Sequence, residues 1–270
     1  MEDYGYPVSE EYIRTENGRI FARVSGKGNP VLMIHGVGSD ADYFKDSVPM
    51  LADCHKVITY DRNGNSRSTP FAGADFSIRG ELEDVRAVLD LAGEDKIVIV
   101  GVSSGSFVAL KAALDYPERI SRLVLYEPAF CFTKSSVSRM GAFKEKIGRM
   151  AAEGKIAAAI LSFVDMIGGL DPDSPPVSAQ QQIANYENFR FYLTQQLKHF
   201  SYGPDYIDEL KELKVPCHIL AGDKDRDGLF YRTARETAQV LGVCPVVVDG
   251  YHNYPKDHPK DFVKIVQNFL

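Results

Sequence analysis

What this sequence is short of narrows the reading first. It has no surplus of positive charge: 31 Lys and Arg stand against 37 Asp and Glu, a formal net charge of -6, and the two signs are mixed along the chain. Nucleic-acid binders carry a basic footprint, so DNA and RNA are not expected partners. It also has no apolar run long enough to cross a bilayer. The longest, residues 156–170, is interrupted by Ser162 and Asp165 and is expected to form a buried or interfacial helix. The first eleven residues are acidic and polar, without the basic-then-apolar pattern of a secretory signal. A soluble cytoplasmic protein is the default expectation. Cysteine is sparse: Cys54, Cys131, Cys217 and Cys244 form no C-x-x-C pair and have no clustered histidines beside them. That argues against a zinc site and favours buried free thiols. Cys217 and Cys244 open two late strands, but sequence alone does not pair them. Internal repeats and low-complexity tracts are absent.

What is present is an ordinary globular composition, 44% hydrophobic and 25% charged over 270 residues. This is enough chain for one mid-sized domain with an insertion. Two edge strands, 12–15 and 20–24, flank the turn Glu16-Asn17-Gly18. An apolar strand at 31–34 runs into His35-Gly36-Val37-Gly38, and 40–51 reads as a helix. A strand at 56–60 ends in the turn-rich stretch 61–68. An amphipathic helix from residue 78 shows Leu82, Val85, Val88 and Leu89 on one face, with Gly93 as its stop. Strands follow at 97–100 and 121–126.

The alternation then lapses over 132–205, where Phe143, Ile147 and Met150, then Ile160, Phe163 and Met166, then Tyr186, Phe189 and Leu193 carry helical spacing. A Pro/Ser/Asp-rich break at 171–177 divides this stretch, which reads as a helical lid with a minority of its side chains facing a pocket. Strands at 216–221 and 246–249 and helices at 231–241 and 259–270 restore the alternation. The expected fold class is α/β, with a mostly parallel central sheet and helices on both faces. Residues 1–131 and 206–270 form its core, and 132–205 form a helical cap inserted after the sixth strand.

Chemistry concentrates at Gly101-Val102-Ser103-Ser104-Gly105, a G-x-S-x-G between an apolar strand and a helix that runs to Tyr116. A serine at the tip of such a turn is held in a strained conformation with its hydroxyl off the sheet. The glycines let strand and helix pass closely. The Ser104 amide sits at the helix N-terminus, where unpaired N–H groups and the dipole favour negative charge. A serine hydroxyl needs a base within hydrogen-bond reach and a third group to orient that base. In a parallel sheet such residues lie just beyond late strand ends, which brings in Asp223-Lys224-Asp225 and Tyr251-His252, in the chain order Ser, Asp, His.

With these residues the chain resembles the α/β-hydrolase superfamily. The resemblance runs nearly end to end, through His35-Gly36, the 61–68 loop, the elbow, Tyr116-Pro117-Glu118-Arg119, the 222–225 segment, and His252 with His258-Pro259. It implies Ser103 as nucleophile, His252 as general base, Asp225 as the acid that orients His252, and an oxyanion hole from the amides of Val37 and Ser104. His35 is implied to be structural. Spacing from Gly222 favours Asp225 over Asp223 and Asp227, and Glu127, at the end of an earlier strand where some relatives place the acid, is its main rival. Serine at the elbow, where some relatives carry Asp, points to attack on a carbonyl. Ser106 stands where many relatives have Gly. Tyr251 stands where Gly commonly precedes the histidine, and is expected to narrow the pocket mouth. Arg62 and Asn63 are either substrate contacts or a turn anchored by salt bridges.

The 223–228 loop opens like a calcium site, but the twelfth position is Ala234 where a bidentate Glu is required, so no metal is expected. The function implied is a serine hydrolase for a small or medium carboxylic ester, with a small-molecule ester or related carbonyl substrate, no cofactor, no nucleic-acid partner and no membrane span. A C–C bond hydrolase, a lactonase, and a receptor of the same fold with little turnover are the alternatives.

Overall fold

Antiparallel pairing at one edge and parallel pairing across the rest define the sheet in a computed structural model, which describes residues 5–93, 96–200 and 203–270. In chain order the strands are β1 (Val8–Arg14), β2 (Gly18–Ser25), β3 (Asn29–Ile34), β4 (His55–Tyr60), β5 (Thr69–Pro70), β6 (Ile97–Val102), β7 (Ile120–Tyr126), β8 (Cys217–Gly222) and β9 (Val246–Val248). They lie in the order β1-β2-β4-β3-β6-β7-β8-β9, with β5 paired to β2. β1, β2 and β4 pair antiparallel, and the strands from β4 through β9 pair parallel. The chain winds from β3 out to β4 on one side, then from β6 to β9 on the other. β3 and β6 therefore flank a topological switch point, where the loops beyond the strand ends diverge and leave a crevice.

Strand side chains alternate between two cores, as the two-residue period demands. Leu32, Ile34, Ile97, Ile99, Leu123, Leu125, Ile219 and Ala221 face one, packed under helices α2 (Ile78–Leu89), α3 (Ser104–Asp115) and α8 (Leu229–Leu241). Val31, Met33, Val100, Val102, Val124, Tyr126 and Leu220 face the other, covered by α1 (Val48–Ala52), α9 (Tyr254–Asp257) and α10 (Pro259–Gln267). α3 is buried at nearly every position, which suits its place in the middle of the sheet.

Several expectations shift in detail. The single helix expected over 40–51 divides into a 3-10 turn, Ala41–Phe44, capped by Asp40, and the short α1 with Pro49 in its first turn, because proline cannot donate the amide that a continuous helix would need. The two-residue β5 and the one-turn α9 carry too little periodicity to be read from sequence. With β5 counted, the helical segment follows the seventh strand. Cys54 and Cys244 are exposed, whereas Cys131 and Cys217 are buried, and all four are free. Burial pushes the Cys131 thiol up to about 12. Among the described residues no helix is long and apolar enough to cross a membrane.

Between β7 and β8 run α4 (Lys134–Ala152), α5 (Ile156–Met166) and α6 (Ala179–Phe191), with a π turn at Tyr192–Gln196, before the short α7 (Ile207–Lys211). Residues 1–4, 94–95 and 201–202 of the expected segments lie outside the described residues. The helical segment is fastened to the core through α6. Asn188 accepts from the Ser66 amide at 2.8 Å and donates to the Ser39 carbonyl at 3.0 Å. Phe189 packs against Gly38, where an added Cβ would lie 2.1 Å from its ring. The 171–177 break is tied down as well, with His258 Nε2 3.0 Å from Asp171 Oδ2.

Under the β1–β2 turn, Asp84 of α2 accepts from Asn63 at 3.1 Å and Asn17 at 3.4 Å, and burial raises its carboxyl to about 6. Between the unfolded value near 3.8 and this value the folded state holds a proton that the unfolded state has lost. The group therefore subtracts stability as pH rises through that window. Asp84→Asn removes this term, so the stability of the variant relative to wild type should rise by about 2–3 kcal/mol from pH 4 to pH 7 in urea titrations. Parallel profiles would contradict the assignment.

Candidate active site

Ser103 ends the crossing from β6 into α3 at φ 55 and ψ -122, a conformation that costs a non-glycine residue about 1–3 kcal/mol and persists only when its surroundings hold it. Two contacts do so. The Ser103 N–H donates to the Tyr126 carbonyl at 2.9 Å, and α3 presses against β3 so closely that a Cβ on Gly105 would lie 2.3 Å from the Ile34 carbonyl oxygen. The Ser104 amide heads α3 and has no acceptor inside the helix. Among the described residues the Val37 amide, in the loop after β3, has no acceptor either. Around Ser103, then, two backbone amides, those of Val37 and Ser104, are without a backbone acceptor among the described residues.

His252 follows β9 and is 6% exposed. Its Nδ1–H donates to Glu127 Oε2 at 2.5 Å, and its ring lies 4.2 Å from that of Phe230, centroid to centroid. Glu127 is 3% exposed and sits just beyond β7 with φ 44. Its N–H donates to the Leu220 carbonyl at 2.9 Å, and its Oε1 accepts from the Gly222 N–H at 3.0 Å. Both carboxylate oxygens are therefore occupied, one holding the end of β8 and the other the imidazole. A histidine oriented this way through Nδ1 has Nε2 left to accept a proton.

The expectation that Asp225 orients His252 is not met. After β8 the chain enters a 3-10 turn, Asp223–Asp225, which carries the Asp225 carboxylate against Gly168 and Gly228. No hydrogen bond joins it to His252 among the described residues, and the space beside the imidazole is filled from β7, one strand closer to Ser103 in the sheet.

Beneath the elbow lies a buried polar scaffold. Arg62 pairs with Glu81, Nε to Oε1 at 2.6 Å, and donates to Ser104 Oγ at 3.0 Å. Its amide donates to His35 Nε2 at 3.1 Å, and the other ring nitrogen, Nδ1, lies 2.8 Å from the Gly36 carbonyl. Burial and the neighbouring guanidinium lower His35 to about 4, which keeps it neutral, as its structural role requires. Arg62 and Asn63 thus serve the anchored turn rather than the substrate: Asn63 bonds Asp84, and neither residue lines the cavity beside Ser103.

That cavity, about 370 Å³, is bounded on the core side by Val37, Ser103 and His252. On the other side lie Ile160, Phe163 and Val164 of α5, Ile167 just beyond it, and Phe189 of α6. Phe163 and Phe189 meet edge to face with centroids 5.1 Å apart. Tyr251, expected at the mouth, is not part of the lining; its carbonyl accepts from the Tyr126 hydroxyl at 2.6 Å. Ser106 donates to the Tyr126 carbonyl at 3.2 Å.

Residues 29–225 match the family model described as the alpha/beta hydrolase fold. The chain belongs to the α/β-hydrolase family. Among curated members of wider kinship, it is 25% identical over 270 residues to YraK, an uncharacterized hydrolase of Bacillus subtilis (strain 168), a match that covers 97% of this chain and 96% of that one. It is 28% identical over 222 residues to the Karrikin insensitive 2 receptor IA of Petunia hybrida, covering 76% of this chain and 77% of the other. A thermophilic esterase from Thermogutta terrifontis superposes with a TM-score of 0.71 at 21% identity, covering 97% of each chain, a likeness in fold. For an α/β-hydrolase the β3–β6 crevice is where a ligand is held, and it is where Ser103, His252 and the cavity meet.

Removing one partner of a buried ion pair leaves the other charge uncompensated. Glu81→Gln should cost about 3–5 kcal/mol in urea unfolding, with Arg62 stranded under Ser104. A loss below about 1 kcal/mol, the scale of a surface pair, would show that the pair does not brace the elbow.

Proposed function

We propose that this protein is a serine hydrolase that cleaves a small or medium carboxylic ester through an acyl-enzyme on Ser103. The observation that carries the reading is the Glu127–His252 hydrogen bond on the same cavity wall as the strained Ser103. His252 Nε2 takes the hydroxyl proton as Ser103 Oγ attacks the ester carbonyl. The amides of Val37 and Ser104 hold the oxyanion, and Glu127 stabilises the imidazolium that forms. Collapse of the tetrahedral intermediate expels the alcohol, which takes its proton from His252. Water, deprotonated by His252, then attacks the acyl-enzyme and frees the acid. The cavity's apolar walls suit an acyl or alkyl chain of modest length. Residues 132–205 act as the cap over this chemistry.

A second reading, a ligand receptor with little turnover, draws on the likeness to a karrikin receptor over three quarters of the chain. A chain-length series of p-nitrophenyl esters separates the two. Hydrolysis by wild type that falls by about 10⁴ to 10⁶ in folded Ser103→Ala supports the esterase; no hydrolysis by folded wild type overturns it and favours the receptor. Within the esterase reading, Glu127→Gln should lower kcat by on the order of 10⁴, as expected for loss of an imidazole-orienting carboxylate. Asp225→Asn should leave kcat within about twofold, and the reverse pattern would return the acid to Asp225.

A further inference from the structure

The cavity beside Ser103 is lined mainly by apolar side chains, and its lining contains no Asp or Glu. It contains one side chain of fixed charge, Lys256. Lys256 belongs to α9, the single turn that follows His252, and its amide donates to the Asn253 carbonyl at 2.8 Å. The two residues are thereby carried by the same short segment and line the same cavity. The side chain is half-buried, and among the described residues its ammonium makes neither an ion pair nor a hydrogen bond. The acidic group set against it is Asp257, next in sequence, which feels its charge but lies beyond ion-pair distance and does not line the cavity. Three side-chain amides, Gln182, Asn185 and Asn253, line the same space; Gln182 Nε2 donates to the Val177 carbonyl at 2.9 Å. Asn185 Oδ1 already accepts from Gln181 Nε2 at 2.9 Å, so its NH₂ is what remains to offer a ligand.

We propose that Lys256 makes the cavity selective for substrates that carry a carboxylate at a distance from the scissile carbonyl, such as half-esters of dicarboxylic acids. The proposal rests on the ester-hydrolase reading and names its substrate class. A cation on a mainly apolar wall is partly stripped of water, so an anion that reaches it forms a charge-assisted hydrogen bond of more weight than in bulk water. A neutral ester of the same length leaves the ammonium unpaired. The protein as a whole is acidic, with a net charge of -6, so a preference for anions has to come from this local charge rather than from the overall field.

Binding without turnover tests the proposal. Calorimetry on Ser103→Ala compares monomethyl adipate with methyl hexanoate, which differ in a terminal carboxylate against a methyl group. The half-ester should bind at least about tenfold more tightly. The preference should vanish in Ser103→Ala/Lys256→Gln and reverse in Ser103→Ala/Lys256→Glu, with thermal melts verifying that each variant is folded. No measurable difference between the two ligands, or a preference that survives Lys256→Gln, overturns the proposal. Turnover of monomethyl adipate by wild type reports on the hydrolase reading separately: its absence, with the anion preference intact and dependent on Lys256, sinks that reading and leaves the selectivity standing.

Discussion

A buried carboxylate needs partners for both oxygens, and the way Glu127 obtains them organises this end of the sheet. One oxygen takes the amide that closes β8, the other takes the imidazole that follows β9, and the Glu127 amide itself extends the β7–β8 ladder to Leu220. One residue earlier, the Tyr126 carbonyl accepts from Ser103 and Ser106, and the Tyr126 hydroxyl reaches the Tyr251 carbonyl. The ends of β6, β7, β8 and β9 are thus cross-linked around Tyr126, the last residue of β7, and Glu127, the residue after it. Left without its donors, the Glu127 charge would be costly to bury, so the strand register and the placement of His252 support each other.

On the other side of the switch point, Arg62, Glu81 and His35 form a second buried network under the elbow, and α6 seats on the loops that follow β3 and β4 through Asn188 and Phe189. The cavity is what these two constructions leave between them. Its largely apolar ceiling comes from α5 and α6 and its polar floor from the loops beyond the strand ends.

The strands, the elbow and His252 were legible in the sequence because each is written locally. Apolar runs of strand length mark the sheet, G-x-S-x-G between a strand and a helix marks the turn, and a histidine just past the last strand marks the imidazole that lines the cavity with Ser103. The acid was not legible to the same degree. Asp225 and Glu127 follow adjacent strands, and the choice between them depends on the course of the 3-10 turn after β8, which no periodicity encodes. Spacing from Gly222 therefore pointed to Asp225, whereas the glutamate, longer by one methylene and one strand nearer to Ser103, takes the imidazole. Lys256 escaped notice for a related reason: α9 is one turn long, and only its placement four residues beyond His252 hinted that its side chain shares the site. Arg62 and Asn63 lay in a loop rich in charge, and their burial with Glu81 and Asp84 became visible only once α2 was packed beneath them.

The central claim is that folding turns one of many serines into a nucleophile. Treatment of native protein with diisopropyl fluorophosphate, followed by peptide mass mapping, tests it most directly. One equivalent of adduct on the Ser103 peptide, and none in protein unfolded in urea beforehand, is the outcome this account predicts. A folded protein that takes no adduct, or takes it at another residue, would contradict it.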